Sequence, residues 1–222
     1  MSPALPNGVP LATPFDRLQD AVARLAELTR GRVPGGRSHQ DADDQIGTAD
    51  TDDAIGFDPM PLLRTLDGHS GRVVVIGQVA GILHGSQELT GDLDLLWDGD
   101  SRQAAALAAA FGSVSAELAD SEGVRVPCEP AAFGLPKVLF RSPGASGDCC
   151  TVALKWGDLA VSDFLSRCCT AAAPDGFVIR YVTRPDLILM RRAIGRPKDL
   201  RRDAELEALA RSRHDRRRWL TD

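Results

Sequence analysis

Residues 72–97 read RVVVIGQVAGILHGSQELTGDLDLLW, and this stretch decides the class of fold. Arg72–Ile76 is a short apolar run rich in β-branched residues, the pattern of a buried strand, and it stops at Gly77. Val79–Leu83 reads as helix, and Asp92–Trp97 as a second strand. Side chains alternate along a strand, so Asp92 and Asp94 share one face. Carboxylates so close repel one another, and burying them unpaired is costly. A divalent cation resolves both problems, and ligands that are all oxygen suit Mg²⁺. The plain alternative is an edge strand with both Asp residues in water, against which stand the apolar Leu93, Leu95, Leu96 and Trp97. Gly77, between strand and helix, lets backbone N–H groups approach a phosphate at the helix N-terminus, although a tight turn explains it equally well. The segment Gly77-Gln-Val-Ala-Gly81 lacks the G-x-G-x-x-G spacing, which argues against a dinucleotide fold.

Working outward, Pro59–Leu66 reads as a short helix and Ala104–Phe111 as an Ala-rich one. Lys137–Phe140, Cys149–Leu154 and Phe177–Val182 are strand candidates. Helices are expected at Val161–Arg167, Pro185–Ile194 and Leu200–Arg211. Interleaved strands and helices make the class α/β or α+β. Residues 1–13 are Pro-rich. Phe15–Leu28 forms one possible amphipathic helix, introduced by Thr13-Pro14. Gly31–Asp53 is rich in Gly, Pro, Ser and Asp, and its acidic run lacks the pattern of a calcium loop. Residues 1–55 are therefore expected to be flexible or loosely attached, and residues 56–222 to form the folded domain.

The chain has 222 residues, 26 basic against 31 acidic side chains, and a formal charge of −5. The charge is uneven: residues 184–222 hold 12 basic and 7 acidic groups, which could meet a polyanion or simply face water. No apolar run reaches the ~18 residues a membrane span needs. No secretory signal pattern opens the chain, so a cytoplasmic setting is expected. The five cysteines are odd in number and four are adjacent pairs, the pattern of reduced, buried thiols and not of a zinc framework.

The motifs together resemble the DNA polymerase β-type nucleotidyltransferase superfamily. Its signature is a hydrophobic residue, Gly, then Gly or Ser, followed after a spacer by Asp-hydrophobic-Asp/Glu-hydrophobic. The matching residues are Ile76-Gly77-Gln78 and Asp92-Leu93-Asp94-Leu95. The small bacterial branch that includes the AbiE-type toxin nucleotidyltransferases is similar in further respects. These are His84-Gly85 after the first helix, Thr90 before the carboxylates, and a closing pattern like Asp186–Asp199. The resemblance covers roughly residues 57–210 and implies a mixed β-sheet flanked by helices. It also implies a third carboxylate on a later strand. Asp148, before Cys149-Cys150-Thr151, is the best match, with Ala153 as the competing register.

What the resemblance implies is metal-dependent transfer of a nucleoside monophosphate from a nucleoside triphosphate to an acceptor hydroxyl. The acceptor could be RNA, protein or a small molecule. Asp92, Asp94 and Asp148 would hold two Mg²⁺ ions. Gly77, Gln78, Thr90, Arg191 and Lys198 would bind the nucleotide. Three residues depart from the family's pattern: Gln78 replaces Gly or Ser, Glu88 stands where relatives often have Arg, and Arg191 replaces a common Lys. These departures support an alternative: a catalytically degenerate member that binds a nucleotide or a partner protein, as half of a toxin–antitoxin pair. His84 and the tryptophans Trp97, Trp156 and Trp219 are expected to be packing residues. Arg196, Lys198 and Arg201 could reach phosphates or lie on a solvated helix face.

Overall fold

The computed structural model describes residues 12–37, 47–68 and 73–219. Within them lie six α-helices and eight strands: α1 (Pro14–Leu28), α2 (Met60–Gly68), β1 (Val73–Val75), α3 (Gly77–His84), β2 (Leu95–Trp97), α4 (Ala104–Ser113), β3 (Glu117–Ala119), β4 (Arg125–Val126), β5 (Lys137–Ser142), β6 (Ala145–Thr151), β7 (Cys169–Ala172), β8 (Val178–Tyr181), α5 (Arg184–Ile194) and α6 (Pro197–Trp219). The strands form one sheet in the order β4-β3-β5-β6-β2-β1-β8-β7. It is mixed: β1 runs parallel to β8 and β2 parallel to β6, while the other neighbours are antiparallel. The class is α/β, as the interleaved pattern predicts.

The centre of the sheet follows from composition. Val73–Val75 and Leu95–Trp97 are buried at every position, so both faces of these strands are covered. At the other end, β3 and β4 are only three and two residues long, and Glu117 and Arg125 on them are exposed. Short, charged edge strands resist pairing with other chains.

Two expectations are corrected. The first concerns residues 1–55. Helix α1 forms where the sequence places it, with a capping box between Thr13 and Asp16 and Pro14 in the first turn. It is not loosely attached. Phe15, Leu18, Ala21 and Leu25 are buried in the main core, α1 packs on α3 and β7, and Phe15 meets Phe177 edge-on. Arg17 Nη1 also donates to the Leu83 carbonyl over 2.6 Å. The single apolar stripe of α1 is thus matched by a facing surface that no local pattern announces. Residues 47–55 are ordered in two 3-10 turns, Thr48–Asp50 and Asp52–Ala54, with Thr48, Thr51 and Ala54 buried. Residues 1–11 and 38–46, the latter holding most of the acidic run, lie outside the described residues.

The second correction concerns the strand Asp92–Trp97. Regular pairing starts only at Leu95, although the backbone N–H of Leu93 still donates to the Ser146 carbonyl and that of Ile76 to the Asp94 carbonyl. Asp92–Asp94 is thus the frayed entry to β2, where carboxylates meet a cavity instead of covered sheet. The helix expected at Val161–Arg167 is a single 3-10 turn, Ser162–Leu165.

Candidate functional site

Four elements end at one place: the β1–α3 junction, the entry to β2, the middle of β6, and the α5–α6 corner. Between them lies a cavity of about 320 Å³. Asp92, Asp94 and Asp148 line one side of it. The parallel register pairs Leu95 with Cys149, so Asp94 and Asp148 each precede that pair by one residue on neighbouring strands. Sheet register, not sequence proximity, brings the third carboxylate in. Ala153 lies exposed in the turn after β6 and does not line the cavity.

Gly77 explains how Asp94 reaches this position. Its φ is +63°, and a Cβ built there would lie 2.0 Å from the Asp94 carboxylate oxygen Oδ2. The carboxylate therefore rests where any side chain at residue 77 would stand. Asp92 is held differently. Its Oδ1 accepts from the hydroxyls of Thr90 and Thr48, the latter at 2.8 Å, and these two hydroxyl oxygens are 2.7 Å apart. Thr90 is buried behind Asp92, so it positions that carboxylate.

Asp148 has a neighbour that sequence reasoning did not single out. Lys137 on β5 lines the same cavity, and its Nζ lies 3.2 Å from Asp148 Oδ2. The antiparallel register pairs Lys137 with Cys150 and Leu139 with Asp148. Lys137 and Asp148 are therefore diagonal neighbours on one face, a spacing that a long side chain bridges.

The opposite wall is cationic. Arg191, Arg196, Lys198 and Arg202 from the α5–α6 corner line it, together with Lys155. Gln78 points into this wall and not across the phosphate approach: its side chain is buried, accepts from Arg191 Nη2 at 2.7 Å, and donates to Ser86 Oγ and the Glu88 carbonyl. Gly81, one helical turn on, has no side chain, and the Arg191 guanidinium lies 2.8 Å from where its Cβ would be. Glu88 does not line the cavity. Its carboxylate pairs with Arg202 at 2.7 Å and Arg201 at 3.3 Å, which fixes α6 against the loop that follows α3. Both departures from the family pattern therefore build the cationic wall.

Burial shapes the charges. It lowers the pKa of Arg191 to about 10, helped by nearby Arg202, so the guanidinium stays charged at neutral pH. Asp203, buried beside it, is pushed up to about 6 by burial, with Arg191 and Arg192 pulling the other way. Burial also raises the Cys150 thiol, and the carboxylates of Asp148 and Asp94 push it further in that direction. All five cysteines are free thiols. His84 is a packing residue: its Nε2 lies 2.9 Å from the Val182 carbonyl and its ring meets Tyr181 edge-on.

Of the residues expected at a site, Asp92, Asp94, Asp148, Gly77, Gln78, Arg191 and Lys198 all line this cavity, and Thr90 supports it from behind. Thr48 and Lys137 are additions. Among the described residues, no group of three or more His, Cys, Asp or Glu is drawn tightly enough to chelate an ion alone. The donor set nevertheless fits Mg²⁺. It is three carboxylates open to one cavity, one of them resting on a glycine, and Mg²⁺ commonly completes its shell with substrate phosphates and water. No helix among the described residues is long and apolar enough to cross a membrane. No known protein family matches the chain, and no curated protein matches it in sequence.

Proposed function

We propose that this protein is a Mg²⁺-dependent nucleotidyltransferase. It moves a nucleoside monophosphate from a nucleoside triphosphate to an acceptor hydroxyl on RNA, protein or a small molecule. The observation that carries this reading is one cavity with three carboxylates on one wall and a row of basic side chains on the other. A metal-bound triphosphate has the complementary halves.

In this reading Asp92, Asp94 and Asp148 hold the metal. When bound, Mg²⁺ activates the acceptor hydroxyl and neutralises charge that develops on the leaving pyrophosphate. Thr48 and Thr90 keep Asp92 turned toward the cavity, and Gly77 leaves the Asp94 carboxylate its place. Arg191, Arg196 and Lys198 bind the polyphosphate, with Gln78 holding Arg191 in position. The acceptor oxygen forms a bond to the α-phosphorus as the bond to the bridging pyrophosphate oxygen breaks. Pyrophosphate leaves with that electron pair, and the hydroxyl proton passes to solvent. Catalysis is positioning and charge neutralisation, with no covalent enzyme intermediate.

A second reading, a nucleotide- or partner-binding protein without transfer, is favoured by how fully the carboxylates are engaged within the protein. Asp92 holds two hydroxyls and Asp148 an ammonium group. One experiment separates the two. The protein is incubated with Mg²⁺, each α-labelled nucleoside triphosphate and a cell extract, and label is sought on RNA, protein and small molecules. Label transfer that is lost in Asp92→Asn and Asp94→Asn supports the enzyme. Nucleotide retention without transfer to any fraction supports the binder. Neither retention nor transfer rejects both.

A further inference from the structure

We infer that Lys137 takes the place of the second divalent cation, so that the site holds one metal ion and one ammonium group. The inference rests on the transferase reading above and changes its metal count. The sequence resemblance implies two ions shared by three carboxylates. Here the third carboxylate already has a resident cation, with Lys137 Nζ 3.2 Å from Asp148 Oδ2.

Strand register keeps this pair together. Lys137 faces Cys150 across the β5–β6 ladder, and Asp148 faces Leu139, so the ammonium group crosses one diagonal step to the carboxylate. Both side chains are half-buried, at 29% and 23% exposure, so the pair is shielded from bulk water but open to the cavity. A divalent ion bound to Asp148 would sit within a few ångströms of a fixed positive charge, and the repulsion at that range is strong in a partly buried site. Asp92 and Asp94 have no lysine or arginine among their closest partners; Asp92 instead accepts from two neutral hydroxyls. One divalent ion on that pair plus the ammonium group balances the three carboxylates. Lys137 is then placed beside the acceptor oxygen, where its charge stabilises developing negative charge as a second ion would.

The test counts metal and does not depend on turnover. Wild type, Lys137→Met and Lys137→Arg are dialysed to equilibrium against Mn²⁺ and, in turn, the α,β-methylene analogue of each nucleoside triphosphate, which cannot be cleaved at the α–β position. Excess manganese and excess nucleotide inside the bag are then counted. The expected ratio is one manganese per nucleotide in wild type, two in Lys137→Met, and one again in Lys137→Arg, where the charge is restored. Lys137 is outside the buried core, and circular dichroism checks that all three proteins fold alike. Two ions in wild type would overturn the inference while leaving the transferase reading intact. One ion in both wild type and Lys137→Met would show that the lysine excludes nothing, and would also overturn it. If wild type retains neither nucleotide nor metal, the transferase reading fails and this inference falls with it.

Discussion

A glycine and an aspartate define the site at the scale of single residues. Gly77 adopts a positive φ and its missing side chain is the seat of Asp94. Gly77→Ala faces two costs: roughly 1–3 kcal/mol of backbone strain, and eviction of the carboxylate. The expected outcome is loss of Mg²⁺-dependent nucleotide retention, measured by dialysis, with a lowered but cooperative thermal transition. Retention at the wild-type level would mean Asp94 does not hold the ion. Asp203 makes a second prediction, in pH. Its folded pKa is raised to about 6 by burial, whereas an Asp in the unfolded chain titrates near ~3.9. The folded state therefore binds this proton more tightly. The stability it contributes is full below about pH 4 and is lost as pH rises through about 6. Relative to Asp203→Asn, wild type should gain thermal midpoint as pH falls from 7.5 toward 4.5, and a difference constant across that range would contradict the assignment.

At the scale of elements, α1 belongs to the core. Leu18 on it is fully buried, so Leu18→Ala should cost about 2–4 kcal/mol in urea unfolding, while a loosely attached helix would show almost no change. The helix itself was legible from its capping box and its apolar stripe, but its partner surface on α3 and β7 was not. Hydrophobic periodicity says which face is buried and never against what. The same limit explains the rest. Val73–Ile76, Gly77 and α3 were readable because a continuous apolar run ending in glycine is a local signal. β3, β4 and β7 were missed because two to four residues are too few to show alternation. Asp148 was found through the apolar run after it. Lys137 required the β5–β6 register, and Thr48 lies 44 positions from the Asp92 it touches. No local pattern could join them.

At the scale of the whole molecule, charge is sorted by position in the chain. The carboxylate wall comes from β2 and β6, and most of the cationic wall from the α5–α6 corner, within the basic region 184–222. Binding a polyanion against this wall is a screened interaction. The dissociation constant for a metal–triphosphate complex should weaken several-fold as ionic strength rises from about 0.05 to 0.5 M, over which the Debye length falls from well above to well below ~10 Å. Isothermal titration at several salt concentrations checks this, and a flat profile would assign the basic side chains to structure alone. The sheet order has a different consequence, for the way the chain is made. Strand β1 takes its parallel neighbour β8 from about a hundred residues later in the sequence. A ribosome adding about 5–20 residues per second leaves Val73–Val75 without that partner for several seconds. During synthesis the apolar centre of the sheet is thus half-built, and the nascent chain presents to chaperones the same strand that the finished protein covers on both faces.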